Sequence, residues 1–338
     1  MHILRKRAFA RAGFMGNPSD GYNGKTIAFV IRNFFAEVTL YDWPKVEIVL
    51  AKDDQTSFRS ISELAEDVQL HGYYGGMRLI KATIKRFHDY CLETGRPLHE
   101  GTFSIRYSTN IPRAVGMAGS SAIIVATLRA LMEFYDVEIP IRVQPSLALS
   151  VEMGELGIAA GLQDRVIQVY EGLIYMDFAK DRMESIDGMD CGHYEPLELA
   201  KLPNVYVAYS TDVGEPTYVV HNPLRARYLA GDPDVHQAME TFATLTEQAR
   251  EALENGDEQE LHRLIDLNFD TRASICAISD RHRAMIDGAR SVGASAKFAG
   301  SGGAIVGTFT DDAMFDKLKT CLTSLRCEVM RPTIVDSV

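Results

Sequence analysis

The stretch from Asn110 to Tyr135, "NIPRAVGMAGSSAIIVATLRALMEFY", places small residues and two adjacent hydroxyls directly before an apolar segment of helical length. A glycine-rich turn that enters a helix exposes backbone N–H groups, and the helix dipole adds partial positive charge there. A hydroxyl at that end either caps the helix or coordinates Mg²⁺ beside a phosphate. The residues predicted to form this phosphate site are Pro112, Gly116, Met117, Ala118, Gly119, Ser120 and Ser121.

Taken alone, the same stretch is equally well interpreted as a glycine-rich turn with a serine N-cap. It contains neither the P-loop pattern G-x-x-x-x-G-K-[ST] nor the dinucleotide pattern G-x-G-x-x-G. Two other glycine-containing stretches favour the phosphate interpretation. They are "RAGFMGNPSDGYNGK", from Arg11 to Lys25, and "KFAGSGGAIVG", from Lys297 to Gly307.

The elements that must position these stretches follow from the pattern of apolar residues. Residues 1–50 are rich in β-branched and aromatic residues and predict strands, as do "TFSIRYS", "VIQVYEGLIYMDF", "AKFAGSGGAIVGTF" and "RCEVMRPTIV". The stretch "LPNVYVAYST" is interpreted as the beginning of the second lobe. Apolar spacing of three to four predicts helices from Ser60 onward, with a break at "GYYGG". Further helices are predicted over 145–156, 234–255, 258–277 and 280–292.

Composition excludes several classes of protein. The formal net charge of −11 argues against a general nucleic-acid binder, which needs clustered Lys and Arg. No apolar run approaches the ~20 residues that span a bilayer, and no apolar segment follows the basic start as in a signal peptide. The five cysteines are scattered, which disfavours a disulfide framework or a zinc site. We therefore expect a soluble, cytoplasmic protein with no membrane or nucleic-acid partner.

In this order along the chain, the three glycine-containing stretches resemble the three signature motifs of the GHMP kinases. That family includes galactokinase, homoserine kinase, mevalonate kinase and phosphomevalonate kinase. The resemblance implies an α+β fold of two lobes, with the active site in the cleft between them and ATP and Mg²⁺ as cofactors. We place the N-terminal lobe, which would bind ATP, at residues 1–190 and the C-terminal lobe at residues 191–338.

Further stretches narrow the resemblance within the family to kinases that act on a uronic acid. They are "GYYGGMRL", "ELGIAAGLQDRVIQVYEGL" and "LNFDTR". The implied reaction is ATP-dependent phosphorylation of the anomeric hydroxyl of D-glucuronate. The alternatives are another sugar 1-kinase, for galacturonate, arabinose or galactose, and a non-catalytic sugar sensor on the same fold.

The resemblance assigns catalytic roles to Asp164 and Arg11. Asp164, in "AAGLQDR", corresponds to the aspartate that faces the phosphate-accepting hydroxyl and takes its proton. Arg11 corresponds to an arginine near that aspartate, where a guanidinium stabilises charge on phosphoryl oxygens.

The resemblance also implies an Mg²⁺ site. Ser120 matches the serine that usually binds the ion, and Ser121 would then cap the helix or contact phosphate. Glu152 has the spacing of the family's metal-binding glutamate, and Glu155 is the alternative one turn away.

The sugar is expected to contact the N-terminal motif. Asp20 would accept hydrogen bonds from sugar hydroxyls, and Asn17 stands where galactokinase has a glutamate. A neutral amide there suits an acidic sugar. Arg165 and Arg272 are the candidates for binding the sugar carboxylate.

Two further contacts are predicted for the loops. Gly302, in "AGSGGA", would run alongside the phosphates or the sugar. Tyr73 and Tyr74, in "GYYGG", would stack on the sugar or pack in the core.

Overall fold

The computed structural model describes residues 3–50, 60, 75–211 and 218–337 of the chain. Its strands are β1 (Ile3–Met15), β2 (Lys25–Asp42), β3 (Glu47–Ile48), β4 (Phe103–Thr109), β5 (Leu173–Asp177), β6 (Glu184–Ile186), β7 (Met189–Cys191), β8 (His193–Pro196), β9 (Val205–Ser210), β10 (Lys297–Phe298), β11 (Ala304–Thr308) and β12 (Cys327–Met330). Its α-helices are α1 (Gly76–Glu93), α2 (Gly119–Tyr135), α3 (Val143–Ser150), α4 (Gln163–Tyr170), α5 (Tyr218–Leu229), α6 (Pro233–Asn255), α7 (Glu258–Ile275), α8 (Asp280–Ser291) and α9 (Asp312–Ser324).

The larger sheet is organised around the long strand β2. One edge of β2 pairs antiparallel with β1, from Ile3 opposite Tyr41 to Met15 opposite Ile27. The other edge is shared by β4 at one end and β5 at the other. β3 and β8 extend the sheet outward from β4 and β5. Irregularities in the β1–β2 register on either side of Arg11 bend β1 where it carries this residue.

The smaller sheet is antiparallel, in the order β10-β11-β9-β12. Its apolar face packs with residues of α7, α8 and α9 around a cluster that includes Tyr206, Phe269, Ile286, Leu318 and Leu322. The loop between β10 and β11 is therefore held by a packed sheet on one side and helices on the other.

The helix α2 is buried along most of its length, which explains why its apolar residues show little preference for one face. It packs on β1 and β2 and against α1 and α4. This packing fixes the direction of its N-terminus, where the candidate phosphate-binding residues lie.

Most of the predicted elements are confirmed, including the strands in residues 3–48, the strand "TFSIRYS" and the three long helices that begin near residues 233, 258 and 280. The strand predicted over "VIQVY" is wrong, because residues 166–170 belong to α4. A short run of buried β-branched residues fits a helix packed on several sides as well as a strand. Tyr73 and Tyr74 lie outside the described residues.

The division into lobes at residue 190 stays a prediction. The strand β8, beyond that point, pairs with β5 of the larger sheet. A division after Lys201 would keep each sheet whole. Within the described ranges, no helix combines the length and the apolar character needed to cross a bilayer.

Candidate active site

Arg11 joins three segments of the site. Its side chain is buried, and its Nε donates to Oδ1 of Asp164 at 2.6 Å. Its Nη1 donates to the backbone oxygens of Gly116, at 2.6 Å, and Ala299, at 3.0 Å. One guanidinium therefore holds the predicted catalytic carboxylate, the loop before α2 and the loop after β10 together.

The two glycine-containing loops approach each other so closely that side chains are excluded. A Cβ on Gly300 would lie 2.1 Å from the carbonyl oxygen of Gly116. Gly116 has a φ of +72°, and a Cβ there would lie 2.9 Å from the Gly302 oxygen. Gly302 has a φ of +142°, and a Cβ there would lie 3.0 Å from the His282 ring. These contacts place Gly302 against the loop before α2, beside the candidate phosphate site.

The start of α2 leaves its first N–H groups without a side-chain cap. Ala118 precedes the helix in the left-handed conformation and makes no capping bond. Ser121 is buried and donates to the Ala118 oxygen at 3.2 Å, whereas Ser120 is exposed. Met117 is buried and anchors the loop. Of the two adjacent hydroxyls, Ser120 is thus the one available to a ligand.

Pro112 and Gly119 have supporting positions in this loop. Pro112 follows the buried Ile111, which anchors the loop to the core. A Cβ on Gly119 would meet Ile111 at ordinary contact distance. Neither residue contributes a polar side chain; the backbone N–H of Gly119 could donate to phosphate, whereas Pro112 has no N–H to donate.

Ser120 and Glu152 are in contact at the N-terminal end of α2. The Ser120 hydroxyl donates to Oε1 of Glu152 at 3.0 Å, and Glu152 is 1% exposed. Glu155 instead accepts a hydrogen bond from Lys85 at 2.9 Å. The geometry therefore favours Glu152 over Glu155 as the partner of Ser120.

These two residues fit the needs of Mg²⁺. The ion prefers oxygen ligands and commonly takes one or two from the protein, with the others from phosphate and water. The described part of the chain contains no cluster of three His, Cys, Asp or Glu side chains arranged for a metal ion. A metal at Ser120 and Glu152 would therefore depend on a nucleotide for further ligands.

Arg165 is committed to protein groups. It forms a buried ion pair with Oε2 of Glu152, and its Nη1 donates to the Gly161 oxygen at 2.7 Å. The same nitrogen lies 3.6 Å from Oδ2 of Asp164. Burial lowers the pKa of Arg165 to about 9, while the Asp20 carboxylate acts in the opposite direction. The position of Arg165 suits the organisation of the two carboxylates better than direct binding of a sugar carboxylate.

Arg272 is also committed, to the glycine loop after β10. Its two terminal nitrogens donate to the oxygens of Gly300, at 2.7 Å, and Ser301, at 3.1 Å. The guanidinium lies 5.1 Å from the centre of the Phe298 ring. Its buried Nε has no hydrogen-bond partner among the described residues. The contacts shape the loop and leave Arg272 little freedom to bind a sugar carboxylate.

Asn17 is buried, and its amide is used at both ends. Its Nδ2 donates to the Phe298 oxygen at 3.3 Å, and its Oδ1 accepts from Lys297. The sequence interpretation missed Lys297, a buried lysine that also donates to the oxygens of Gly13 and Phe298. Burial lowers the pKa of Lys297, and Arg272 and Arg11 lower it further. Asn17 thus fixes the turn after β1 through both its amide nitrogen and its amide oxygen.

Asp20 lies beside Asp164 at the opening of the site. Its Oδ2 accepts from the backbone N–H of Gln163 at 3.3 Å. A Cβ on Gly161 would lie 2.0 Å from the same oxygen, so a glycine is required for this approach. Burial and the nearby Asp164 raise the pKa of Asp20 to about 6. Its carboxylate makes no ion pair with any described residue, and the position suits hydrogen bonding to a ligand.

Taken together, the fold and the arrangement of the site fit a small-molecule kinase, with a glycine-containing loop before a buried helix and a paired aspartate and arginine beside it. Residues 78–172 match the family described as GHMP kinases N terminal domain. The chain is 43% identical over 311 residues to glucuronokinase 1 of Arabidopsis thaliana, covering 90% of this chain and 84% of that protein. The chain belongs to the GHMP kinase family.

Solved structures support the fold. The chain superposes on a Lin0012 protein from Listeria innocua with a TM-score of 0.81 and 16% identity, covering 100% of this chain and 99% of the other. It superposes on Lactococcus lactis galactokinase complexed with galactose with a TM-score of 0.74 and 14% identity, covering 100% and 95%. The predicted GHMP kinase fold is confirmed.

The raised pKa of Asp20 predicts a pH dependence of stability. Between about pH 4 and about pH 6, the folded chain retains a proton that an unfolded aspartate has released. The free energy of unfolding therefore falls as the pH rises through this window. Asp20→Asn removes the titrating group, so we expect the fall to shrink by at most about 3 kcal/mol.

Chemical denaturation at a series of pH values between about 4 and about 7 measures this effect. Asp316→Asn, at an exposed position of α9, is the matched control. If the Asp20→Asn curve runs parallel to that of the wild type, Asp20 does not titrate as described.

Proposed function

We propose that the protein transfers the γ-phosphoryl group of ATP to the anomeric hydroxyl of D-glucuronate, giving glucuronate 1-phosphate. The reaction type is supported chiefly by the Arg11–Asp164 pair, 2.6 Å apart at the junction of the two glycine loops. The choice of sugar is supported by the extended likeness to glucuronokinase 1 of Arabidopsis thaliana.

Asp164 serves as the general base in this proposal. Its Oδ1 accepts a hydrogen bond from Arg11, and its Oδ2 lies 3.6 Å from Nη1 of Arg165. The carboxylate is 19% exposed, so an acceptor hydroxyl has access to it. Oδ2 would accept the hydrogen bond from the anomeric hydroxyl and take its proton as the bond to phosphorus forms.

Arg11 acts on the other reactant. Its guanidinium lies between the carboxylate and the backbone oxygens of Gly116 and Ala299, where the two loops would flank the transferring phosphate. A fixed cation in a buried site stabilises negative charge that develops on the phosphoryl oxygens and needs no reorganisation during the reaction.

The nucleotide phosphates would lie at the uncapped start of α2, where the N–H groups and the helix dipole favour anions. Ser120 and Glu152 would hold Mg²⁺ there. When bound, the ion would neutralise phosphate charge and orient the nucleotide. The presence of Asp164, Ser120 and Glu152 in this arrangement disfavours the alternative of a non-catalytic sugar sensor.

The proposed activity is tested by ADP release with a panel of sugars, and phosphorus NMR of the product identifies the phosphorylated position. The panel contains D-glucuronate, D-galacturonate, L-arabinose, D-galactose and D-glucose. We expect kcat/KM for glucuronate to exceed that for glucose by at least about 10²-fold. A neutral sugar would leave the cation that pairs with the carboxylate without a partner.

Equal or better use of galactose would refute the uronate assignment and leave a sugar kinase of another specificity. Binding of a sugar without any ADP release would favour the sensor.

The role of Asp164 predicts that Asp164→Asn lowers kcat by about 10²–10⁴-fold, the usual contribution of a positioned base. The amide oxygen still accepts from Arg11, so the loops and nucleotide binding are expected to be retained. Single-turnover kinetics and equilibrium binding of ATP measure the two effects separately. Asp316→Asn is the control, and near-normal turnover by Asp164→Asn would overturn the assignment.

The proposed metal site predicts that Ser120→Ala raises the Mg²⁺ concentration for half-maximal activity by on the order of 10-fold, about 1.4 kcal/mol. Removing one hydroxyl takes away one oxygen ligand and leaves the buried Glu152–Arg165 pair intact. Ser121→Ala is the matched comparison, because that hydroxyl faces the Ala118 oxygen. A larger effect from Ser121→Ala would show that the two serines have been assigned the wrong way round.

A further inference from the structure

A kinase for a uronic acid needs a cation that the protein itself does not neutralise. Arg165 is paired with Glu152, and Arg272 donates to two backbone oxygens of the glycine loop. Lys297 donates to three protein oxygens. The cations inside the site are therefore occupied, and the group that reads the substrate carboxylate must lie elsewhere around Asp20.

The helix α5 brings another arginine to this place. Tyr22, two residues after Asp20, packs its ring against that of Tyr228 at a centroid distance of 4.7 Å. Arg225 precedes Tyr228 by three residues, which places both side chains on the same side of α5. The charge of Arg225 acts on the Tyr22 hydroxyl, as do those of Asp20 and Arg272. Arg225 is thus an exposed cation close enough to Tyr22, and hence to the segment that carries Asp20, for its charge to act there.

Arg225 differs from Arg227, two residues later on α5, in having no ion pair or hydrogen bond with the described residues. Arg227 donates to Asp232 at 2.7 Å and to the Ile275 oxygen at 2.6 Å, which fastens α5 to the following helices. Arg225 is exposed, and the structure gives it no ion pair or hydrogen bond to another described residue. A guanidinium with all five donors free matches a carboxylate in bidentate geometry.

We propose that Arg225 recognises the carboxylate of the acidic sugar, with the Tyr22 hydroxyl as a second donor, and so determines the specificity of the site. The inference rests on the proposed function and names the residue that carries out its selection of substrate. The arrangement separates two tasks along one sugar. Asp20 and Asp164 face the hydroxyl groups, and Arg225 faces the acidic end.

The Tyr22 hydroxyl is suited to donate in this arrangement. Burial and the Asp20 charge raise its pKa to about 12, so it keeps its proton at neutral pH. The charges of both Asp20 and Arg225 act on it.

The experiment compares D-glucuronate with D-glucuronamide, in which a neutral carboxamide of nearly the same size replaces the carboxylate. The variants are Arg225→Gln, Tyr22→Phe, Arg272→Met and the control Arg106→Gln, an exposed arginine on β4. We expect Arg225→Gln to lose about 10- to 100-fold of the preference for acid over amide, mainly through KM for the acid. Tyr22→Phe should lose less, and the control should keep the preference.

Two further results separate this inference from the proposed function. If wild-type protein prefers glucuronate and Arg225→Gln keeps the full preference, or if only Arg272→Met loses it, the role of Arg225 is overturned and the function stands. If wild-type protein uses acid and amide equally, the role of Arg225 is overturned and phosphorylation of glucuronate stands; if wild-type protein releases no ADP with glucuronate, both are overturned. Since a general loss of folding would reduce the use of both sugars, the ratio of kcat/KM values reports recognition alone.

Discussion

The buried guanidinium of Arg11 is the interaction on which the site depends. It is carried by β1, which is fixed along its whole length by β2, and it ties Asp164 to two loops from distant parts of the chain. A buried arginine needs partners for its donors, and an unpaired one is strongly destabilising. The loops before α2 and after β10 are therefore held at contact distance, which in turn requires glycine at 116 and 300.

The charges in the site are arranged for an anionic ligand. Asp164 and Glu152 each face an arginine, whereas Arg272 and Lys297 are surrounded by carbonyl and amide oxygens and have no carboxylate partner among the described residues. A buried guanidinium without a counter-charge creates a positive potential in a region of low dielectric, and burial together with Arg272 and Arg11 lowers the pKa of Lys297. In the proposed function, the nucleotide phosphate would provide negative charge. Burial and the nearby Asp164 raise the pKa of Asp20 despite the arginines around it.

Much of the site could be predicted from the sequence, because the motifs are local. The family motifs singled out Ser120 and Glu152 separately, and the structure places them 3.0 Å apart; the motifs also singled out Arg11 and Asp164, which form a pair. Their roles in catalysis and metal binding stay predictions. The positions of Arg165 and Arg272 were harder to predict. Both carry charge near the site, but their donors are taken by Glu152 and by loop carbonyls that only the folded chain brings close.

Lys297 and Arg225 show which residues of the site cannot be predicted from composition and pattern. Lys297 follows a small apolar run and resembles any strand residue, and only the fold buries it against the turn after β1. Arg225 is one of two arginines separated by a single residue, and only the packing of Tyr228 on Tyr22 in the folded chain places this helix beside the N-terminal motif. Because substrate choice depends on such long-range placement, two kinases with the same three motifs can bind different sugars. In the proposed function, the motifs position the phosphoryl group, and α5, a helix outside them, meets the distinguishing end of the acceptor.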